Sequence, residues 1–144
     1  MRYLILLLAS LLLVACNENE ATKRLVYGFI ALQSAAEIQT KTVNDLAAIG
    51  KVTTEEAEAF TRWTEPLIQA SHDATGIIAD GTIPFEARVT KALHIFIDAQ
   101  RLAVYEQTNN THILVAYTAV TATLQALEIN MRYAQAKAGL GKTQ

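Results

Sequence analysis

Between His112 and Gly139 apolar residues recur at Ile113, Tyr117, Val120, Leu124, Leu127, Met131 and Ala134, in alternating steps of four and three. That spacing puts them on one face of an α-helix, because a helix turns once in about 3.6 residues while a strand alternates in twos. A helix with one apolar face is stable in water only when other elements cover that face. The chain therefore needs partners for this helix, and it supplies three.

From Thr22 to Ile49 the stripe is Leu25, Phe29, Leu32, Ala36, Val43 and Leu46, interrupted by polar Gln39 and stopped by Gly50. Thr53 with Glu56 has the spacing of a capping box, with apolar Val52 just before it. The helix that follows carries Phe60, Trp63, Leu67, Ala70, Ala74 and Ile77, and Asp80-Gly81 ends it. Pro84 suits the first turn of a third helix bearing Val89, Ala92, Leu93, Phe96, Ile97, Ala103 and Val104, with the next break at Gln107 to Thr111. Each helix is expected to have about 25–28 residues, near 40 Å at 1.5 Å per residue. The short connections make neighbours antiparallel. The expected fold is all-α, an antiparallel up-down-up-down four-helix bundle over residues 22–139, with 140–144 a flexible tail. Pro66 lacks the N–H that would bond the Arg62 carbonyl, so helix two is expected to be kinked or broken there, and Gly76 weakens it further.

The first sixteen residues do not belong to that pattern. Arg2 is followed by an apolar run from Leu4 to Ala15 and then Cys16. The run is about 12 residues, short of the roughly 20 that span a bilayer, so it reads as a signal peptide (1–15) and not as a transmembrane helix. Leu13-Val14-Ala15-Cys16 resembles the lipobox of bacterial lipoproteins. The resemblance covers the signal region alone. It implies cleavage between Ala15 and Cys16, a covalent lipid on the Cys16 thiol, and acylation of the new amino group. Two or three acyl chains make attachment effectively permanent. Asn17 in place of aspartate implies, in a host with two membranes, the periplasmic face of the outer one. Residues 16–21 then form a short tether, and Lys23-Arg24 just beyond it lies within reach of anionic head groups.

The formal charge of −2 argues against nucleic acid as a partner. With one cysteine in the chain there is no intramolecular disulfide and no thioether haem attachment, so core packing must supply the stability. Glutamate is missing three residues before His72, His94 and His112, so the di-iron bundle motif is absent, and no metal or other cofactor is expected. Met131 and Trp63 lie on apolar stripes and read as core. Glu55, Glu56 and Glu58 read as a solvated helix start.

The stretch Thr111 to Leu127 carries no formal charge when His112 is neutral, and its outer strip, with Thr118 and Gln125, is suited to packing against another protein or against a second copy as a homodimer through helix four. In an alternating bundle the first and third connections meet at the end far from the anchor. Lys51, Val52, Asn109 and Asn110 are therefore candidate contacts for an envelope protein partner. The expected function is a lipid-anchored, non-catalytic helical adaptor, in the manner of secretion pilotins or exclusion lipoproteins. The alternative is a small-ligand-binding or hydrolytic domain using a cleft near Pro66 with His72-Asp73 or the His94–Asp98 pair, which stand four residues apart. Metabolic labelling with palmitate in a bacterial host is expected to tag the native chain and not a Cys16→Ser variant. A tagged serine variant removes the assignment of Cys16.

Overall fold

The computed structural model describes residues 2–140, with side chains described from residue 18 onward. The side chains of Ala15 and Cys16, and residues 141–144 of the expected tail, lie outside the described residues. Four helices form: α1 (Arg2–Ala48), α2 (Thr54–Ala79), α3 (Phe85–Leu102) and α4 (Thr111–Lys137), with no strand among the described residues. α1 packs against α2 and α4, α2 packs against α3, and α3 touches α4 only lightly.

The stripes read from spacing form the core. Leu25, Phe29, Leu32, Ala36 and Val43 of α1 are buried, as are Phe60, Trp63, Leu67, Ala70 and Ala74 of α2 and Ile113, Val120, Leu127, Met131 and Ala134 of α4. The last position of the α2 stripe is Ile78 rather than Ile77, which is only half-buried. Eighteen residues make five turns at 3.6 per turn, so Ile78 stands directly below Phe60 while a strict seven-residue repeat drifts off that line. α1 stops where expected. Lys51 N–H donates to the Leu46 carbonyl at 2.9 Å and Gly50 N–H to the Ala47 carbonyl at 3.0 Å, with Gly50 at a φ of 71°. These two bonds are a Schellman stop, which glycine makes without steric cost.

The segment 16–21 is helical and continuous with α1, and Ala21 is already fully buried. α2 continues through Pro66 as one helix. One expectation is corrected: α3 is shorter than its neighbours, ending at Leu102, so Ala103 and Val104 lie outside it, and Val104 and Ile97 are exposed. The stop is a tight one. Ala103 takes φ −77° and ψ 77°, and Val104 N–H donates to the Leu102 carbonyl at 2.9 Å, the geometry of an inverse γ-turn.

Residues 103–110 then form an irregular strap along α2. Tyr105 packs on Trp63, Glu106 pairs with Arg62 at 3.1 Å, Thr108 bonds Glu56, and Asn110 reaches the Lys51 carbonyl. Along the strap the partners step back through α2 toward its first residue.

Two close contacts set the helix pairs. Thr64 is fully buried, and its hydroxyl meets that of Thr40 across α1 and α2 at 2.7 Å while also donating along its own helix toward the Phe60 and Thr61 carbonyls. Gly28 lies against α4 so closely that a Cβ would stand 2.9 Å from Leu127 Cδ1 and 3.3 Å from Asn130 Nδ2. Leu127 is itself buried and has little room to move. Gly28→Leu is therefore expected to destabilise the fold by about 1–3 kcal/mol through overpacking, measured by urea unfolding. An unchanged midpoint removes this contact as a constraint on α1 and α4.

Candidate functional site

The strap and the α1–α2 connection converge on one carboxylate. Thr53 caps α2 by accepting from Glu56 N–H at 3.2 Å, and Glu56 Oε2 accepts from Thr53 N–H at 3.0 Å, closing the expected capping box. The same carboxylate then accepts from the Thr108 hydroxyl at 2.8 Å and from Asn110 Nδ2 at 3.1 Å. Asn110 has further partners: its Nδ2 also donates to the Lys51 carbonyl at 3.2 Å, and its Oδ1 accepts from His112 N–H at 3.1 Å, capping α4. Two helix starts and two connections are thus held by two side chains. The hydrogen bond from Thr53 N–H, reinforced by those from Thr108, Asn110 and the Thr53 hydroxyl, holds the Glu56 carboxyl below its ordinary range.

Beside this hub is a half-enclosed groove of about 240 Å³. Its floor is Ala59, Phe60, Tyr105 and Ile113, and its rim includes Glu55 and Glu106. The floor is stiff because an aromatic cluster backs it. Tyr105 stacks on Tyr117 with centroids 3.8 Å apart, and Trp63 lies against Tyr105 at 5.6 Å and Tyr117 at 4.8 Å. Burial raises the Tyr105 hydroxyl above the usual phenol range, so it stays protonated at neutral pH. Glu106 shares its charge with Arg62, and the groove keeps an acidic rim.

Of the residues nominated from sequence, Lys51 and Asn109 are exposed beside the hub. Val52 is buried, 4% exposed, as is Ala57 four positions beyond the cap residue, so Val52 belongs to packing and not to a contact surface. Asn110 is half-buried and is committed to Lys51, Glu56 and His112. Thr118 and Gln125 are exposed on α4, where Thr118 and Val115 line a shallow groove with Leu114 and Ala122.

His72 and Asp73 line an open groove with Asp80 and Lys91, whereas His94 lines a separate one with Glu86 and Lys91. Asp98 is exposed and pairs with Arg101 at 3.4 Å. Pro66 lines neither groove, so the parts of the expected cleft are not brought together. Among the described residues no three His, Cys, Asp or Glu side chains stand close enough to share a metal ion.

Sequence reading places Thr108 in the connection at this end but misses Tyr105 and Glu106 as parts of the site, because it carries the third helix past the point where the chain turns. The available signal was the Asn109-Asn110 pair, which marks a cap, together with an aromatic residue a few positions before it.

Glu56→Ala removes the capping-box acceptor and both ties to the strap, and is expected to cost about 1–2 kcal/mol. Because the folded carboxyl is held below its ordinary range, its contribution is complete above the unfolded pKa of about 4.3 and is lost as pH falls through the folded value. Urea midpoints of the native and Glu56→Ala chains are expected to differ at neutral pH and to converge below about pH 4. A gap that persists or widens in acid contradicts this role.

No family model, curated protein or solved structure matches the chain.

Proposed function

We propose that the chain is a lipid-anchored helical adaptor that holds a protein partner at a bacterial envelope membrane. In this reading residues 1–15 are removed, Cys16 carries the lipid, and in a host with two membranes the domain lies on the periplasmic face of the outer one. The bundle is antiparallel, up-down-up-down. Gly28 in α1 lies against Leu127 late in α4, while Lys51 just past the end of α1 meets Asn110 at the start of α4, so these contacts support opposite directions for α1 and α4, and Thr40 with Thr64 ties α1 to α2. A kink at Pro66 is supported by the hydrogen bond its missing N–H leaves unmade at the Arg62 carbonyl.

The observation that carries the adaptor reading is the tied end of the bundle. Glu56 and Asn110 lock two connections into one rigid surface about 50 Å along α1 from Cys16 at 1.5 Å per residue. A binding surface whose side chains are already fixed loses less freedom when a partner docks. The groove beside it, at about 240 Å³, is below the roughly 300–1,000 Å³ usual for a small-molecule site and suits a single inserted side chain. Its acidic rim favours a partner that offers a cationic one.

Lys51, Asn109 and Glu106 are the residues to alter, because Asn110 and Val52 hold the fold. A Lys51→Glu, Asn109→Ala, Glu106→Lys chain is expected to lose about tenfold or more of the partner captured by crosslinking in the native membrane, with its lipid attachment and helicity unchanged. Equal capture removes this end of the bundle as the contact.

A further inference from the structure

The outer side of α1 carries an apolar stripe that the bundle leaves uncovered. Tyr27 is 70% exposed, Ile38 60% and Ile49 69%, and Ile30 lies on the same side. Tyr27, Ile38 and Ile49 are spaced by eleven residues. Eleven residues are just over three full turns, so Tyr27 and Ile38 fall in one line along the helix, with Ile49 one residue past its end. Extending that line one step back reaches Cys16. The core stripe of Leu25, Leu32, Ala36 and Val43 occupies the opposite side of α1.

Because α1 is continuous from Arg2 to Ala48, no hinge separates position 16 from Tyr27. The acylated residue and the exposed apolar line are thus parts of one rigid rod in one register. Charged residues stand between the apolar ones: Glu20, Lys23 and Arg24 precede Tyr27, with Glu20 paired to Arg24, and after Glu37 and Ile38 the pair Lys41–Asp45, at 2.7 Å, precedes Ile49. From Leu25 to Ala36 there is no charged residue. The groove flanking this stretch, between α1 and α4, is lined by Tyr27, Gly28, Ala31, Thr123 and Ala126, with Arg24 its one charged residue.

We infer that this line is a bilayer-contacting face, and that the anchored domain lies along the membrane surface with α1 lowermost instead of standing on its lipid. The inference rests on the lipid anchorage proposed above and is independent of the adaptor role. The covering surface is a lipid bilayer because the acyl chains hold one there permanently, in register with the line, whereas a second copy must be recruited from dilution. Tyr27 suits the head-group level, where tyrosine is enriched. Ile30 and Ile38 sit at the depth where the apolar side of an interfacial helix inserts.

The test uses the full lipidated chain in vesicles of phosphatidylethanolamine with a minority of phosphatidylglycerol. Acylation consumes the Cys16 thiol, so a single introduced cysteine takes a nitroxide label. Sites Tyr27→Cys and Ile38→Cys are compared with Asp73→Cys on α2 and Asp98→Cys on α3, all exposed and outside the core. At positions 27 and 38 the ratio of collisions with oxygen, which concentrates in lipid, to collisions with a water-soluble nickel chelate is expected to exceed that at 73 and 98 at least about threefold. Equal ratios at all four sites in a chain that still floats with the vesicles overturn the orientation and leave the anchorage standing. A chain that carries no lipid and does not float overturns both. Spin–spin broadening at 27 or 38, persisting as the protein is diluted in lipid, assigns the line to a second copy and overturns the bilayer.

Discussion

α3 is too short for the helix it packs against. At 1.5 Å per residue its 18 residues reach about 27 Å, while the 26 of α2 reach about 39 Å. Roughly 12 Å of the apolar side of α2 must be covered by something other than α3. The strap of residues 103–110 does so by laying Tyr105 against Trp63, and it stays in place because Thr108 and Asn110 both bond the Glu56 carboxylate. The site is therefore a by-product of a packing deficit: the groove exists where a regular helix would have filled the space.

The capping box, the glycine stop at Gly50 and most of the core were legible in the sequence, since each depends on residues within a turn or two of one another. What was not legible depends on contacts between distant segments. No glycine or proline marks the end of α3; the chain turns at Ala103, a strong helix former, and the turn carries Tyr105 onto Tyr117, a contact between segments that local propensity does not report. Nothing local distinguishes Gly28 from any mid-helix glycine; its constraint comes from α4 lying against it. At the site, Lys51 and Asn109 were visible as exposed connection residues. That the two connections meet is expected from the alternating order; the structural commitment of Asn110 and the pairing of Glu106 with Arg62 are not, because they depend on which side chains face one another across distant segments.

Under the proposed lipid anchorage, the continuity of α1 changes how an anchor at Cys16 acts. A flexible tether leaves a domain free to present any side to its surroundings, whereas a helix that runs without interruption from the acylated position into the core transmits orientation as well as location. If the domain lies along the bilayer, the tied end is a lateral feature near head-group level. Its partners are then surfaces that project little from the membrane, and the exposed sides of α2 and α3 face the aqueous space.

Trp63 is the chain's one tryptophan, and it sits where the strap closes on α2, within 5.6 Å of the Tyr105 ring and 5.4 Å of the Phe60 ring. Its intrinsic emission therefore belongs to a single place in the molecule. Lifting the strap exposes the indole to water, shifts its emission to the red and separates it from Tyr105, while Tyr117 stays beside it on α4. The fold thus carries its own optical gauge of whether the strap is seated, and of whether a partner docking at the groove moves it.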